Sequence, residues 1–479
     1  EKMAGALDVV LSQGRCFDDQ LAAYRILIFS LGAQKKLQEA IFMGLGLFEE
    51  AGNGFPASPD LSIVQLELLK AKSILDGITV DSLTQKTMKD KKMITLMEIL
   101  ESLSLYALYS KPIFLPLFVC RIIELSVLHG MCQSTIHAIS IYSMILCGKF
   151  GDVKGGRKYG LFALNVMERT KSWHLCCRVY PALHGIVFPR TEHLHICRDP
   201  LFDAYHECIK IGDNEYAMVN AAIFSTLSFQ GGKELPVILK FIESMEKKAR
   251  EYKQVSTLQL AYPMKQAILN LTGQSDNPAL LEGEAISFRE YFSTAEEKRN
   301  MQVSCRLYLY QIQLAFMFGQ FELAGQMVGK SREIEGILLG KFECCEMFFY
   351  EGLVSLARAR ESKEEKWITG AQYSLEKMQQ WTEDAPCNCE HKLNLLEAEL
   401  HFCDGSIQKA MEKYESAIML SGKNKFIQDQ ALSCERAASF YLKIGDETKA
   451  PEYYGKAHDL YLEWGAKGKA AHLCTHSPF

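Results

Sequence analysis

Near the C-terminus, Ala398, Gly405, Ala410, Tyr414 and Ala417 recur 40 residues later as Ala438, Gly445, Ala450, Tyr454 and Ala457. A fixed offset held at five positions restricts the chain to a structure built from one repeated unit. The spacing describes that unit. A first helix ends near the glycine, which permits a tight turn, and a second helix follows. Its small alanine lets the two backbones approach closely, and the tyrosine and the later alanine, four and seven residues on, share one inward face. This register predicts a packed core of Ala398, Tyr414, Ala417, Ala438, Tyr441, Tyr454 and Ala457, with Ala410 and Ala450 at the hairpin contacts.

Weaker copies run upstream. Gly212-Asp213 is followed by Ala217 and Ala221, Gly151-Asp152 by Gly156, Gly160 and Ala163, and Gly319 by Ala324; Ala40, Gly44 and Leu47 fit a first copy. Between these punctuation marks apolar residues recur at three and four, as in Leu21, Tyr24, Ile28 and Leu31, or Leu393, Leu396 and Leu400. Only 13 prolines interrupt the chain, and β-branched alternation is rare. The expected fold is all-α, a TPR-like α-solenoid of antiparallel helix hairpins. Two stretches read as breaks: Pro189 to Pro200, polar and proline-bounded, as a loop, and Gly273 to Ser287 as a boundary. The expected organisation is an N-terminal repeat region (1–272), a connection (273–300), C-terminal repeats (301–473) and a tail (474–479).

Charge and cysteine usage narrow the function classes. The 53 basic and 58 acidic side chains are interspersed, so no basic stripe argues for nucleic acid and no polybasic block for a membrane surface. The 16 cysteines are scattered among apolar residues, as at Cys120, Cys147, Cys344, Cys345 and Cys434, which suits a reducing, cytoplasmic setting. The most apolar run, Ile113 to Cys120, is broken by Arg121 and Glu124 and reads as too short to span a bilayer. No apolar segment of signal-peptide type follows Glu1-Lys2-Met3, and the first residue is not Met, so the chain reads as a piece of a longer polypeptide.

Ile211-Gly212-Asp213-Asn214-Glu215-Tyr216-Ala217, then Asn270-Leu271-Thr272-Gly273 and Leu281-Glu282-Gly283, then Phe426 to Leu432, and lastly Tyr461-Leu462-Glu463-Trp464-Gly465-Ala466-Lys467-Gly468-Lys469 carry a resemblance. The chain, from about Ala23 to Leu473, resembles the helical-repeat segment of large multidomain signalling kinases. In that family a Ser/Thr-kinase-like domain and an AAA or STAND-type ATPase precede the repeats, and GAF or PAS sensors and a histidine kinase follow. The resemblance implies protein partners or neighbouring domains of these kinds. The family's phosphate-binding, catalytic-loop and phospho-accepting histidine motifs match no position here.

The local motifs weigh against a catalytic or cofactor site. Ala324 to Ser331 matches a loose phosphate-loop string, but Ala324 falls where a repeat's second helix needs its packing alanine, and helical N–H groups are already bonded. His193, His195 and Cys197, the nearby His174, Cys176 and Cys177, and Cys387, Cys389 and His391 are zinc-ligand types, yet no CxxC pair completes a tetrahedral set. Ser225 and Ser228 lie in plain helical context without a GxSxG elbow. Glu49-Glu50 reads as a helix end, Glu361 to Glu365 as a solvated one, and Asp213 and Asp446 as helix caps. Asn270-Leu271-Thr272 is a glycosylation acceptor without a secretion signal.

The expectation is therefore a module with no catalytic, metal or cofactor residues of its own. Glu399, Glu435, Ser439 and Lys443 are its candidate interaction surface on helix faces away from the core. Two alternatives remain at this point. One is part of an ATP-dependent sensor kinase whose catalytic domains lie outside this chain. The other is the sensor arm of a STAND-type transcription regulator, for which Cys474 to Phe479 are too few to supply a DNA-binding helix-turn-helix.

Overall fold

A computed structural model describes residues 17–252, 255–297, 300–338 and 340–478. Glu1-Lys2-Met3 and Phe479 lie outside them. Among the described residues the chain is all-helical, with 23 α-helices, no strand and two isolated bridges, Thr87 to Met131 and Glu282 to Ser287. It divides into two compact units, residues 1–183 and 184–479.

The first unit holds α1 (Phe17–Ala33), α2 (Leu37–Glu50), α3 (Leu61–Asp76), α4 (Val80–Thr84), α5 (Lys91–Ser110), α6 (Leu115–His129), α7 (Gln133–Lys149), α8 (Val153–Arg169) and α9 (Cys176–Ala182). α1 packs on α2, α5 on α6, α6 on α7 and α7 on α8, and α2 also packs on α5 and α3 on α6. The apolar run from the sequence is longer than it reads. Pro112–His129 forms one continuous helical stretch with a mean hydropathy of 1.7, long and apolar enough by length and composition to cross a membrane, and 61% of it is buried within the protein. Its two charges, Arg121 and Glu124, pair with each other at 3.2 Å on that same helix, so they do not interrupt it.

The second unit holds α10 (Leu194–Ile211), α11 (Asn214–Gln230), α12 (Leu235–Glu251), α13 (Val255–Thr272), α14 (Phe288–Glu297), α15 (Met301–Met317), α16 (Phe321–Ser331), α17 (Phe342–Ser362), α18 (Glu365–Asp384), α19 (Pro386–Cys403), α20 (Ile407–Lys423), α21 (Ile427–Lys443), α22 (Lys449–Trp464) and α23 (Lys467–His476). Helices joined by short turns pair closely, as α19 with α20 and α21 with α22, and alternate helices stack as well: α11 on α13, then α15, α17, α19 and α21. In this inner row every residue from Val303 to Met317 and from Phe342 to Ala357 is buried. A helix enclosed on all sides must be apolar or internally paired around its whole circumference.

The repeat register maps onto the turns. Gly405 and Gly445 adopt φ of 79° and 81°, the left-handed turn that glycine takes without strain, and Gly151, Gly212 and Gly319 do the same upstream. Ala398, Ala410, Tyr414, Ala417, Ala438, Ala450 and Ala457 are all fully buried. Tyr454 is only half-buried, and Tyr453 takes the buried place against Tyr441.

The expected loop from Pro189 to Pro200 is mostly helical: only residues 191–193 separate a short 3₁₀ turn from α10. His193 caps α10 by accepting from the His195 N–H, and Pro200 sits inside the helix, where it removes one ladder donor without ending it. The Gly273 to Ser287 stretch connects α13 and α14 within the second unit. Buried Gln266 and Asn270 pin it, accepting from the Ala285 N–H at 2.8 Å and donating to the Pro278 carbonyl at 3.1 Å. Asn270 is fully buried, so its glycosylation string has no room for a glycan in this fold.

Candidate functional site

The inner row of the second unit carries charges where its helices are most enclosed. Arg306 of α15 meets Glu343 of α17 at 2.6 Å. Glu346 of α17 meets Lys392 of α19 at 2.9 Å, and Arg360 of α17 meets Glu399 of α19 at 2.6 Å. Lys392 and Glu399 each reach onward to α21, to Asp429 and Arg436, both at 2.8 Å. Glu435 of α21 then pairs with Lys469 of α23 at 2.7 Å. The result is a ladder of ion pairs from one alternate helix to the next.

Electrostatics follow from burial and pairing. Burial alone would raise the Glu399 carboxyl, but the Arg360 and Arg436 guanidinium groups override it and hold it at about 2. Burial acts the same way on Glu343, where Arg306 and Lys341 prevail and lower it. The Lys341 ammonium is pushed down to about 8 by burial and by Arg306. Asp429 is also lowered, its burial outweighed by Lys392 and His391. Glu346 is the exception: burial, with Asp429 adding to it, raises it to about 7 even though Lys392 opposes the shift. Lys392 faces both carboxylates, at 2.9 Å from Glu346 and 2.8 Å from Asp429, and His391 adds its hydrogen bond to Asp429 alone.

Neutral groups extend the ladder. The Tyr414 hydroxyl donates to Glu399 at 2.8 Å, the Tyr461 hydroxyl to Glu435 at 2.7 Å, and Gln313 to the Tyr350 hydroxyl at 3.1 Å. His391 Nε2 donates to Asp429 at 2.8 Å, its ring stacked on Phe426 with centroids 4.7 Å apart. Burial lowers the His391 imidazole against the opposing pull of Asp429.

The first hairpin of this unit bonds to its last ones. The Asn388 amide donates to the carbonyls of Pro189 and Glu192 and accepts from the Leu194 N–H. The Gln428 amide donates to the Gln230 carbonyl at 2.7 Å, and the Trp464 indole to the Lys233 carbonyl at 3.1 Å. His193 and His195, read as possible ligands, spend Nε2 on the carbonyls of Asn424 and Gly231. The stack thus closes on itself around the ladder.

The candidate surface residues part company here. Glu399 is fully buried inside the ladder rather than on an outward face, and Glu435 is half-buried and paired. Ser439 lies 3.2 Å from the Tyr454 hydroxyl, and Lys443 is exposed. Sequence reasoning missed Glu343, Glu346, Lys392 and Asp429. Their signal is a charge inside an apolar helical run with its opposite one hairpin away, as Arg306 stands to Glu343, Lys392 to Asp429 and Arg436 to Glu399.

The remaining motifs have structural places. The phosphate-loop-like string lies within α16, and Ser331 donates to the Val328 carbonyl as a helical serine does. Cys389 packs 3.6 Å from Cys345, with both fully buried, and Cys387 stands in the first turn of α19. Among the described residues no three His, Cys, Asp or Glu side chains are grouped to hold a metal ion. Asp213 and Asp446 accept from the N–H groups of Tyr216 and Lys449 as caps. Ser225 and Ser228 are buried within α11. No protein-family model matches the chain, and no curated protein matches it.

Proposed function

We propose that the chain is a non-catalytic regulatory module, a TPR-like solenoid that transmits or restrains an activity carried by a neighbouring domain or a protein partner. The observation that carries this reading is the repeated contact. Tyr414 reaches Glu399 and Tyr454 reaches Ser439, each across 15 residues, so consecutive hairpins repeat one packing geometry. Such an array presents long outer helix faces, and its hairpins stack in order even though the first also bonds to the last ones. The ionised groups of the inner row are spent on one another, which leaves them no role toward a substrate. A cytoplasmic setting rests on the scattered, apolar-flanked cysteines, and membership of an ATPase-linked signalling kinase on the resemblance to such kinases.

The test uses the longer reading frame. Repacking the last hairpins with Ala410→Phe and Ala450→Phe in the full-length protein should change basal kinase or ATPase output or its response to stimulus. Unchanged output and response, in a protein whose hairpins are shown to be repacked and folded, reject the regulatory role.

A further inference from the structure

His193 stands in extended backbone at the start of α10, and each nitrogen of its half-buried ring has a fixed role. Nδ1 accepts from the His195 N–H at 3.2 Å, and Nε2 lies 2.9 Å from the Asn424 carbonyl in the α20–α21 turn. A backbone N–H only donates and a carbonyl only accepts, so these two partners require a neutral imidazole with its proton on Nε2. The ring is therefore both the N-cap of α10 and a tie from that helix to a turn 231 residues further on.

A second proton would go to Nδ1. It would point a donor at the His195 N–H and end the cap, and a ring that turns to relieve this leaves the Asn424 carbonyl as well. The surroundings do not favour the charge. The His195 ring is 4.5 Å away between centroids, Arg198 is on the same helix, Lys425 is on the α20–α21 turn, and the positive end of α10 begins here. On α19, His391 lies against the same Phe426 ring as His193 and is bonded to Asp429. Of the carboxylates on the His193 side, Glu192 precedes it in the chain, and Asp199 is paired with Arg198 at 3.0 Å. The α11–α12 turn presents the Gly231 carbonyl, which His195 Nε2 bonds at 2.7 Å. Burial lowers the His193 imidazole, with His195 adding to it and the Asn424 bond opposing.

We propose that His193 is an acid-sensitive latch: neutral, it fastens the start of α10 to the α20–α21 turn, and protonated, it lets go. Loosening begins as pH falls through 6.5, the ordinary imidazole value, because the released ring takes up the proton that the fastened ring refuses. Asn388, Gln428 and Trp464 join the first hairpin to the last ones through amides and an indole, which do not titrate there, so the release is local.

Amide exchange of the full chain at pH 7.5 and pH 5, corrected for intrinsic rates, tests this. The expected result is an opening constant in 194–198 and 424–428 about tenfold larger at pH 5, the size of one lost cap and its hydrogen bond, with 393–399 of α19 changed far less. His193→Asn, whose side-chain oxygen can cap α10 without titrating, should abolish the difference; His193→Ser serves if that variant does not fold. Equal opening at the two pH values overturns the proposal. So does acid opening that is as large in 393–399, or that persists unchanged in the variant.

Discussion

The Tyr414 hydroxyl donates to the buried Glu399 carboxylate at 2.8 Å across the α19–α20 hairpin, and Tyr454 stands in the same relation to Ser439 one repeat later. One contact ends on an ionised, enclosed carboxylate; the other ends on a half-buried hydroxyl. A hydrogen bond to a charged group contributes about 1.5–3 kcal/mol, and a neutral one about 0.5–1.5 kcal/mol. Tyr414→Phe should therefore lower unfolding stability by the larger amount and Tyr454→Phe by the smaller, read from urea midpoints at constant m. Equal losses would mean that the charge on Glu399 adds nothing to the contact.

Ala410 and Ala450 are each fully buried on the second helix of a hairpin. Replacing either by Phe should overpack the contact and cost about 1–3 kcal/mol. Urea unfolding without loss of stability in both variants contradicts the 40-residue register.

Gly468 lies against the backbone of Gly273, so that a Cβ there would stand 2.5 Å from the Gly273 nitrogen. Backbone cannot move aside as a side chain can. Gly468→Ala should therefore destabilise the docking of α23 on α13, speeding amide exchange in 467–476 more than in α19. Unchanged exchange in α23 would show that this close approach is not what seats the helix.

Much of this hairpin grammar is legible in the sequence. A tight turn needs glycine and a close crossing needs alanine, so Gly405, Ala410 and their copies announce themselves. The ladder is not legible in the same way, because Glu399 on a helix with Leu393 and Leu396 looks like an outward charge until the third helix that encloses it is known. Closure of the stack is equally hidden: Asn388 and Gln428 are ordinary polar residues until residues some 200 positions away supply their partners. Pro200 misleads for a local reason, since proline reads as a break but is tolerated inside α10.

Acid should act on stability in two opposing ways. Glu399 and Glu101 are each held at about 2 against an ordinary 4.5, despite the burial that would raise them, by Arg360 and Arg436 in one case and by His137 and Arg178 in the other. Their contribution is complete above about pH 4.5 and is lost as pH falls toward 2. Glu346, raised to about 7 by burial, works in the other direction: the folded state binds its proton more tightly, so stability falls as pH rises from about 4.5 to 7. Stability–pH curves of the wild type and Glu346→Gln should differ in slope within that window. Parallel curves there would mean that Glu346 titrates normally.

Turnover of ATP tests the central claim most directly. Lys330 lies in the last turn of α16, whose backbone donors are bonded within the helix, and the charged groups of the inner row are buried in mutual pairs. The purified chain with magnesium and ATP should hydrolyse nothing above buffer and transfer no phosphate to itself or to added protein, with Lys330→Ala indistinguishable from wild type. Sustained hydrolysis or phosphotransfer by the chain, abolished by Lys330→Ala or by any other single substitution within it, would contradict the non-catalytic account.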